Sequence, residues 1–261
     1  MELPKLNQSD FLNWKSYYFN YQKTLAEAYY IPLLKQNGIN LSSDTKVLDV
    51  GCGDGGFLTA FSKLSRDCNG VEIRNFGWEE KSNPKIIIGD ITVEEIKNFL
   101  KPKYDLLILR DVIEHILLPK KIDFIKSIKN YMDENSRLLI TFPPFYSPFG
   151  LHQQAILKSP LRIIPFLGWL PKYLIKSILK LFNQMEKWDE IEEIKDSRMT
   201  ISRFKNLMLE CGLEICYHEQ YFVRPSHEIR YDVKMRKINW LNIPILKEIF
   251  VSGCTFILKK K

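Results

Sequence analysis

Val47-Leu48-Asp49-Val50-Gly51-Cys52-Gly53-Asp54-Gly55-Gly56 is the stretch on which the fold turns. An apolar run of strand character enters a turn with four glycines, and an amphipathic helical pattern opens at Phe57. The glycines permit a tight turn and let a ligand lie against bare backbone near a helix N-terminus. Outward from it, residues 46–50, 69–73, 85–88, 105–109 and 137–142 read as short buried strands. Helical patterns over 57–64, 92–100 and 122–131 fall between them. Such alternation predicts a parallel sheet wound on both faces, because parallel neighbours need crossover connections.

The rhythm breaks after Phe142. An insertion over 143–198 precedes a helix at 201–211 and two strand candidates, 214–224 and 249–258, which would add an antiparallel strand. Before the first strand, 10–36 is helical and crowded with aromatics (Phe11, Trp14, Tyr17, Tyr18, Tyr21, Tyr29, Tyr30), a cap expected over one edge of the sheet. The expected organisation is one domain over 1–261: a cap (1–43), a cofactor-binding core (44–142), a lid insertion (143–198) and the rest of the sheet (199–261).

Composition fits such a domain. At 261 residues, 45% hydrophobic, 13% aromatic and 26% charged, the chain is neither disordered nor low-complexity. No run of about eighteen apolar residues predicts a spanning helix, and the polar first ten residues do not read as a secretory signal. Five cysteines without a CxxC pair suit a reducing compartment, so a cytoplasmic protein is expected. Of the net charge of +7, six positive charges lie between Glu134 and Glu186, where no acid occurs: Arg137, Lys158, Arg162, Lys172, Lys176 and Lys180.

Gly51, Gly53 and Gly56 fit GxGxxG, so a dinucleotide and S-adenosylmethionine compete for the turn. The acids decide. Asp49 would repel a pyrophosphate but suits an ammonium group; Glu72 ends the second strand, placed for ribose hydroxyls; Asp90 follows the third strand, placed for an adenine amino group. Three acids at successive strand ends suit a cationic, ribose-bearing ligand.

Residues 47–56 (VLDVGCGDGG), 70–73 (GVEI), 88–92 (IGDIT) and 104–116 (YDLLILRDVIEHI) resemble the class I S-adenosylmethionine-dependent methyltransferases, most of all the subgroup acting on small molecules and lipids. The resemblance covers about 44–142, with a looser match at 250–259. It implies a Rossmann-like, seven-stranded, mostly parallel sheet with an antiparallel last strand. It further implies that Asp49, Gly51 and Gly53 hold the methionine end, Glu72 the ribose and Asp90 the adenine. Ile73 and Ile91 would flank the nucleoside, and Arg110 and Asp111 would line the cleft near the sulfonium.

Methyl transfer asks the protein to align a nucleophile and exclude water, with a general base if the acceptor is a hydroxyl. His152 lies on a stiff Pro-rich stretch that leaves the fifth strand at its C-terminal end, where ligands bind in such folds. His152 and Tyr146 are therefore the acceptor-side candidates. Pro143-Pro144-Phe145 is not the [DN]PP[YF] signature of base-modifying amino methyltransferases, since Phe142 stands where an acid or amide is needed. Asp111-x-x-Glu114-His115 shares one helix face and is read as structural, with no metal assigned. Its alternative is a divalent-ion site like that of the small-RNA 2′-O-methyltransferases, which carry E-x-x-E-H, although the surrounding RNA-enzyme signature is missing.

In the insertion, Pro171 opens a helix with Leu174, Ile178 and Leu181 on one face and Ile175, Leu179 and Phe182 alongside. Lys172, Lys176 and Lys180 line the other side. This basic amphipathic helix, with Trp169 and Tyr173 at its start, predicts either a lid over the cleft or, across 165–182, contact with a membrane surface, ahead of an oligomer contact. Both imply an apolar or amphiphilic acceptor. Aliphatic rather than aromatic neighbours to the lysines argue against nucleic acid. The resemblance implies that Arg224 ends the last strand but one, where it would face the cleft and hold an anionic group; its alternative is a surface charge. The sequence thus predicts methyl transfer from S-adenosylmethionine to a hydroxyl or amine of a small, hydrophobic or lipid-linked molecule. The alternatives are a metal-assisted RNA 2′-O-methyltransferase using Asp111, Glu114, His115 and His152, and a non-catalytic binding module.

Overall fold

The strand runs read from the sequence assemble into one mixed sheet in the computed structural model, which describes residues 2–77 and 83–261. Its strands are β1 (Lys46–Val50), β2 (Asp67–Glu72), β3 (Lys85–Ile88), β4 (Tyr104–Arg110), β5 (Met132–Phe142), β6 (Leu213–Val223), β7 (Arg236–Lys237) and β8 (Gly253–Lys260). They lie in the order β3-β2-β1-β4-β5-β8-β6-β7. β1 to β5 are parallel, and β8 runs antiparallel between β5 and β6. The expected sheet is present, with eight strands instead of seven. The additional β7 is a two-residue, fully exposed edge strand on β6. Two consecutive basic residues offer no apolar alternation by which a strand could be read.

Side chains alternate across the strands and so feed two cores. Leu48, Val50, Leu107, Leu109, Leu138, Ile140 and Phe256 meet the helices Lys121–Lys129 and Ile201–Glu210 on one face. Val47, Leu106, Ile108, Leu139 and Ile257 face the other way, onto the helix Gly56–Ser62 and the N-terminal segment. That segment runs as a helix through Trp14–Leu25, one widened π turn at Ala26–Tyr30 and Ile31–Gln36. It lies across a whole face of the sheet and not over an edge. Its buried Tyr17, Tyr21, Leu25, Tyr29 and Leu34 share a core with strands β1, β4, β5, β6 and β8. Burying Leu25 and Leu34 contributes about 1.5–3 kcal/mol each. Gly56 lets the helices close, since a Cβ there would stand 2.4 Å from the Phe19 carbonyl oxygen.

The inserted segment builds a third core from Phe145, Leu151, Leu161, Leu167, Ile175, Leu179, Trp188, Ile191 and Ile194. Within it, the helix Lys172–Leu181 buries only Ile175 and Leu179, against the helix Trp188–Ser197. On the Leu174–Ile178–Leu181 face, Ile178 is half-buried, Leu174 is exposed and Leu181 is 77% exposed. The partner helix selects the stripe, because Lys172 is tied to Glu192 and Asp196 upon it and Lys176 lies 4.4 Å from the Trp188 ring centre. These contacts also offset part of the positive charge of the segment. Among the described residues no helix is long and apolar enough to cross a membrane.

Candidate cofactor and acceptor site

Parallel β1 to β4 bring their C-terminal ends to one side, and with them the acids singled out in the sequence. Asp49 sits one residue before the end of β1 and is almost fully buried, with no hydrogen bond or ion pair to its carboxyl from any described residue. Burial, with Glu72 adding to it and Arg110 opposing, pushes its carboxyl up to about 7. Glu72 closes β2 with both oxygens facing backbone: one accepts from the Gly53 amide at 2.9 Å, the other from the Arg74 amide at 3.1 Å. Asp90 is exposed after β3, one oxygen accepting from the amide and hydroxyl of Thr92.

The glycine turn is folded as its composition requires. Gly51 has φ +74°, its amide donating to the Val71 carbonyl, and a Cβ there would stand 2.3 Å from Val112. At Gly53, φ +57°, a Cβ would meet nothing within 4 Å. Open space above Gly53, beside the acids Asp49 and Glu72, is a cradle for a cation-bearing ligand and a poor one for a pyrophosphate. The residues therefore fit S-adenosylmethionine. Of the two isoleucines expected at the nucleoside, Ile73 is 68% exposed beside Glu72, whereas Ile91 is buried in the core. Only Ile73 offers a free apolar face there.

At the end of β4, Arg110 is fixed from three directions. Its guanidinium carbon is 3.9 Å from the Phe57 ring centre and 5.4 Å from that of Tyr30, and it donates to the Gln22 side chain at 2.8 Å. The buried Tyr21 and Tyr30 and the half-buried Tyr18 of the N-terminal helices lie within electrostatic reach of Arg110, and desolvation pushes the Tyr18 phenol up to about 12. The aromatic crowding over 10–36 was the signal for this wall, but nothing in the sequence tied it to Arg110.

Asp111 follows in the left-handed region at φ +52°. Arg224 donates to both of its oxygens at 2.9 Å and Thr141 to one at 3.1 Å. Burial raises this carboxyl, but the guanidinium groups of Arg224 and Arg110 outweigh it and hold Asp111 well below the usual range. Arg224 thus reaches the cleft, but it neutralises Asp111 and does not stand free for an anion.

His152 and Tyr146, paired in the sequence reading, part company. His152, also left-handed at φ +56°, turns towards the end of β4, where its Nε2 lies 3.1 Å from Glu114 Oε1 and its ring stands edge-on to His115 at 5.3 Å. Left-handed non-glycine residues cost roughly 1–2 kcal/mol each and persist only where the surroundings enforce them. Tyr146 lines a separate hollow of about 780 Å³ with Phe145, Trp169, Leu170, Ile245 and Ile249, and Lys195 and Arg198 stand at its wall.

Comparison with known proteins bears on this geometry. The sequence matches a family model described as a methyltransferase domain over residues 21–218. No curated protein matches it. Among solved structures, the chain is similar to an S-adenosylmethionine-dependent methyltransferase of Thermotoga maritima described as a possible histamine N-methyltransferase. That similarity has 14% identity and a TM-score of 0.52 over 97% of each chain. A plantazolicin methyltransferase, in complex with a triazolic desmethylPZN analogue and SAH, has 10% identity and a TM-score of 0.53 over 93% of this chain and 85% of its own. A methyltransferase of Clostridium acetobutylicum has 10% identity and a TM-score of 0.51 over 93% and 92%. At these identities the likeness is one of fold.

Proposed function

The chain belongs to the methyltransferase-domain family, and from that premise we propose that it transfers the methyl group of S-adenosylmethionine to a hydroxyl or amine of a small, hydrophobic or lipid-linked acceptor. Bound there, the cofactor supplies a methyl group already activated by a sulfonium. The chain holds and aligns it. Ionised Asp49 would accept from the ammonium group, Glu72 from the ribose hydroxyls through the lone pairs its backbone bonds leave, and Asp90 from the adenine amino group. Ile73 would cover the base. Arg110, stacked on Phe57, and the Asp111–Arg224 pair wall the cleft between this site and His152. His152 would receive the proton of a hydroxyl acceptor, or orient an amine that arrives neutral.

The observation that carries the acceptor class is the apolar surface of the inserted segment. Ile163, Phe166, Trp169, Tyr173, Leu174, Leu181 and Phe182 are all exposed or near it, beside Lys176 and Lys180. Such a patch on a monomeric surface marks an interaction site. We infer that it rests on an anionic lipid surface, with the hollow lined by Tyr146 and Trp169 accommodating an apolar part of the acceptor.

The test is transfer of labelled methyl from S-adenosylmethionine into washed membranes and soluble contents of the source cell, kept separate. Label in organic-extractable molecules, with the protein sedimenting alongside the membranes, is the expected result. Label confined to water-soluble molecules would withdraw the lipid-linked acceptor and the membrane contact together.

A further inference from the structure

We propose that Glu114, His115 and His152 form a divalent-metal site on the acceptor side of the cleft, one that takes a cation suited to imidazole and carboxylate ligands, such as zinc, manganese or cobalt(II). The turn after β4 supplies the first two residues and the loop after β5 the third, and one ligand-capable atom of each lies within 4.8 Å of the others. Two imidazoles and one carboxylate form a three-ligand set of the kind that leaves further positions open for a substrate oxygen.

The second observation is electrostatic. Glu114 is only 2% exposed, yet neither of its oxygens accepts a hydrogen bond. A buried carboxylate left in that state is costly. His152 Nε2 is 3.1 Å away but makes no hydrogen bond to it, and that nitrogen has no hydrogen-bond partner. The buried Lys121, within electrostatic reach of Glu114, directs its three protons elsewhere: to the carbonyls of Ile113 and Ile116 and to the Ser197 hydroxyl. A carboxylate and an imidazole nitrogen, both buried and both unbonded, are what a cation between them would satisfy. Asp111 is not in the set, since Arg224 and Thr141 occupy its oxygens. Glu193, with one oxygen 3.8 Å from His115 Nδ1, stands behind as an orienting partner for that ring.

The catalytic consequence rests on the proposed methyl transfer and narrows it to an oxygen acceptor, with His152 holding the cation in place of receiving the acceptor's proton. A hydroxyl bound to the cation loses its proton to solvent more readily. Its oxygen then forms the new bond to the methyl carbon as the carbon–sulfur bond breaks, and that electron pair remains on sulfur.

Cobalt(II) is the probe. Titrated into the metal-stripped full chain, it is expected to give visible absorption bands that saturate at one equivalent and are displaced by zinc. Glu114→Gln and His152→Asn should each weaken cobalt binding at least tenfold while SAH binding stays within twofold, which shows that the variants are folded. Absence of the bands in the wild type, or bands unchanged in the His115→Ala/His152→Ala double variant, would overturn the site. Methyl transfer that proceeds undiminished in EDTA would overturn the catalytic part alone and leave the methyltransferase reading standing.

Discussion

Asp49 shows how one buried side chain links the fold to ligand charge. Its carboxyl titrates near 7 because burial penalises the charge and Glu72 adds repulsion. In the free protein a carboxyl raised in this way holds its proton between its unfolded value and about 7, so its contribution to stability falls as pH rises through that window. An ammonium group held against it prefers the ionised form. SAH affinity should therefore rise about tenfold between pH 6 and pH 7.5, and Asp49→Asn should bind more weakly with that rise abolished. Calorimetric titration across the range reads both effects. A flat wild-type profile would remove Asp49 from the ligand. Asp49, Glu72 and Asp90 were legible because an acid at the end of a buried strand has no structural reason to be there. Tyr18, Tyr30 and Gln22 were not, because their approach to Arg110 depends on where a helix distant in sequence docks.

At the scale of the element, the glycine turn separates folding from binding. Gly51→Ala would force a side chain into the left-handed region against Val112, 2.3 Å away, and should destabilise the protein by about 1–3 kcal/mol in urea unfolding. Gly53→Ala meets no protein atom within 4 Å, so it should cost less stability but project into the ligand cradle. The expected pattern is a larger stability loss at Gly51 and, at Gly53, a loss of SAH affinity out of proportion to its stability. The reverse pattern would mean that the space over Gly53 is not the ligand's. Strands β1 to β6 and β8 were legible to within a few residues from apolar runs bounded by polar punctuation. The inserted helix was legible as a helix, but the stripe it buries was not. Its apolar residues spread too far round for periodicity to choose, and Ile175 and Leu179 were selected by Ile191 and Ile194 on a neighbour.

For the whole molecule, the chain places its two ends around the central sheet. The N-terminal helices cover one face, and β6 and β8 from the C-terminal part bring Arg224 to Asp111 across 113 residues. That pairing was hidden in the sequence, where Arg224 and Asp111 each read as a free charge lining the cleft. The 143–198 segment adds its own small core and leaves apolar residues exposed, and the proposed contact with amphiphiles rests on those residues. Calorimetric titration of SAH into the wild type and Glu72→Ala tests most directly whether the acids at the strand ends hold the adenosyl cofactor. One site per chain is expected in the wild type, and a loss of about 1–3 kcal/mol, roughly 5- to 150-fold, in Glu72→Ala. Equal affinity in a folded Glu72→Ala, or binding of NAD in place of SAH, would contradict it.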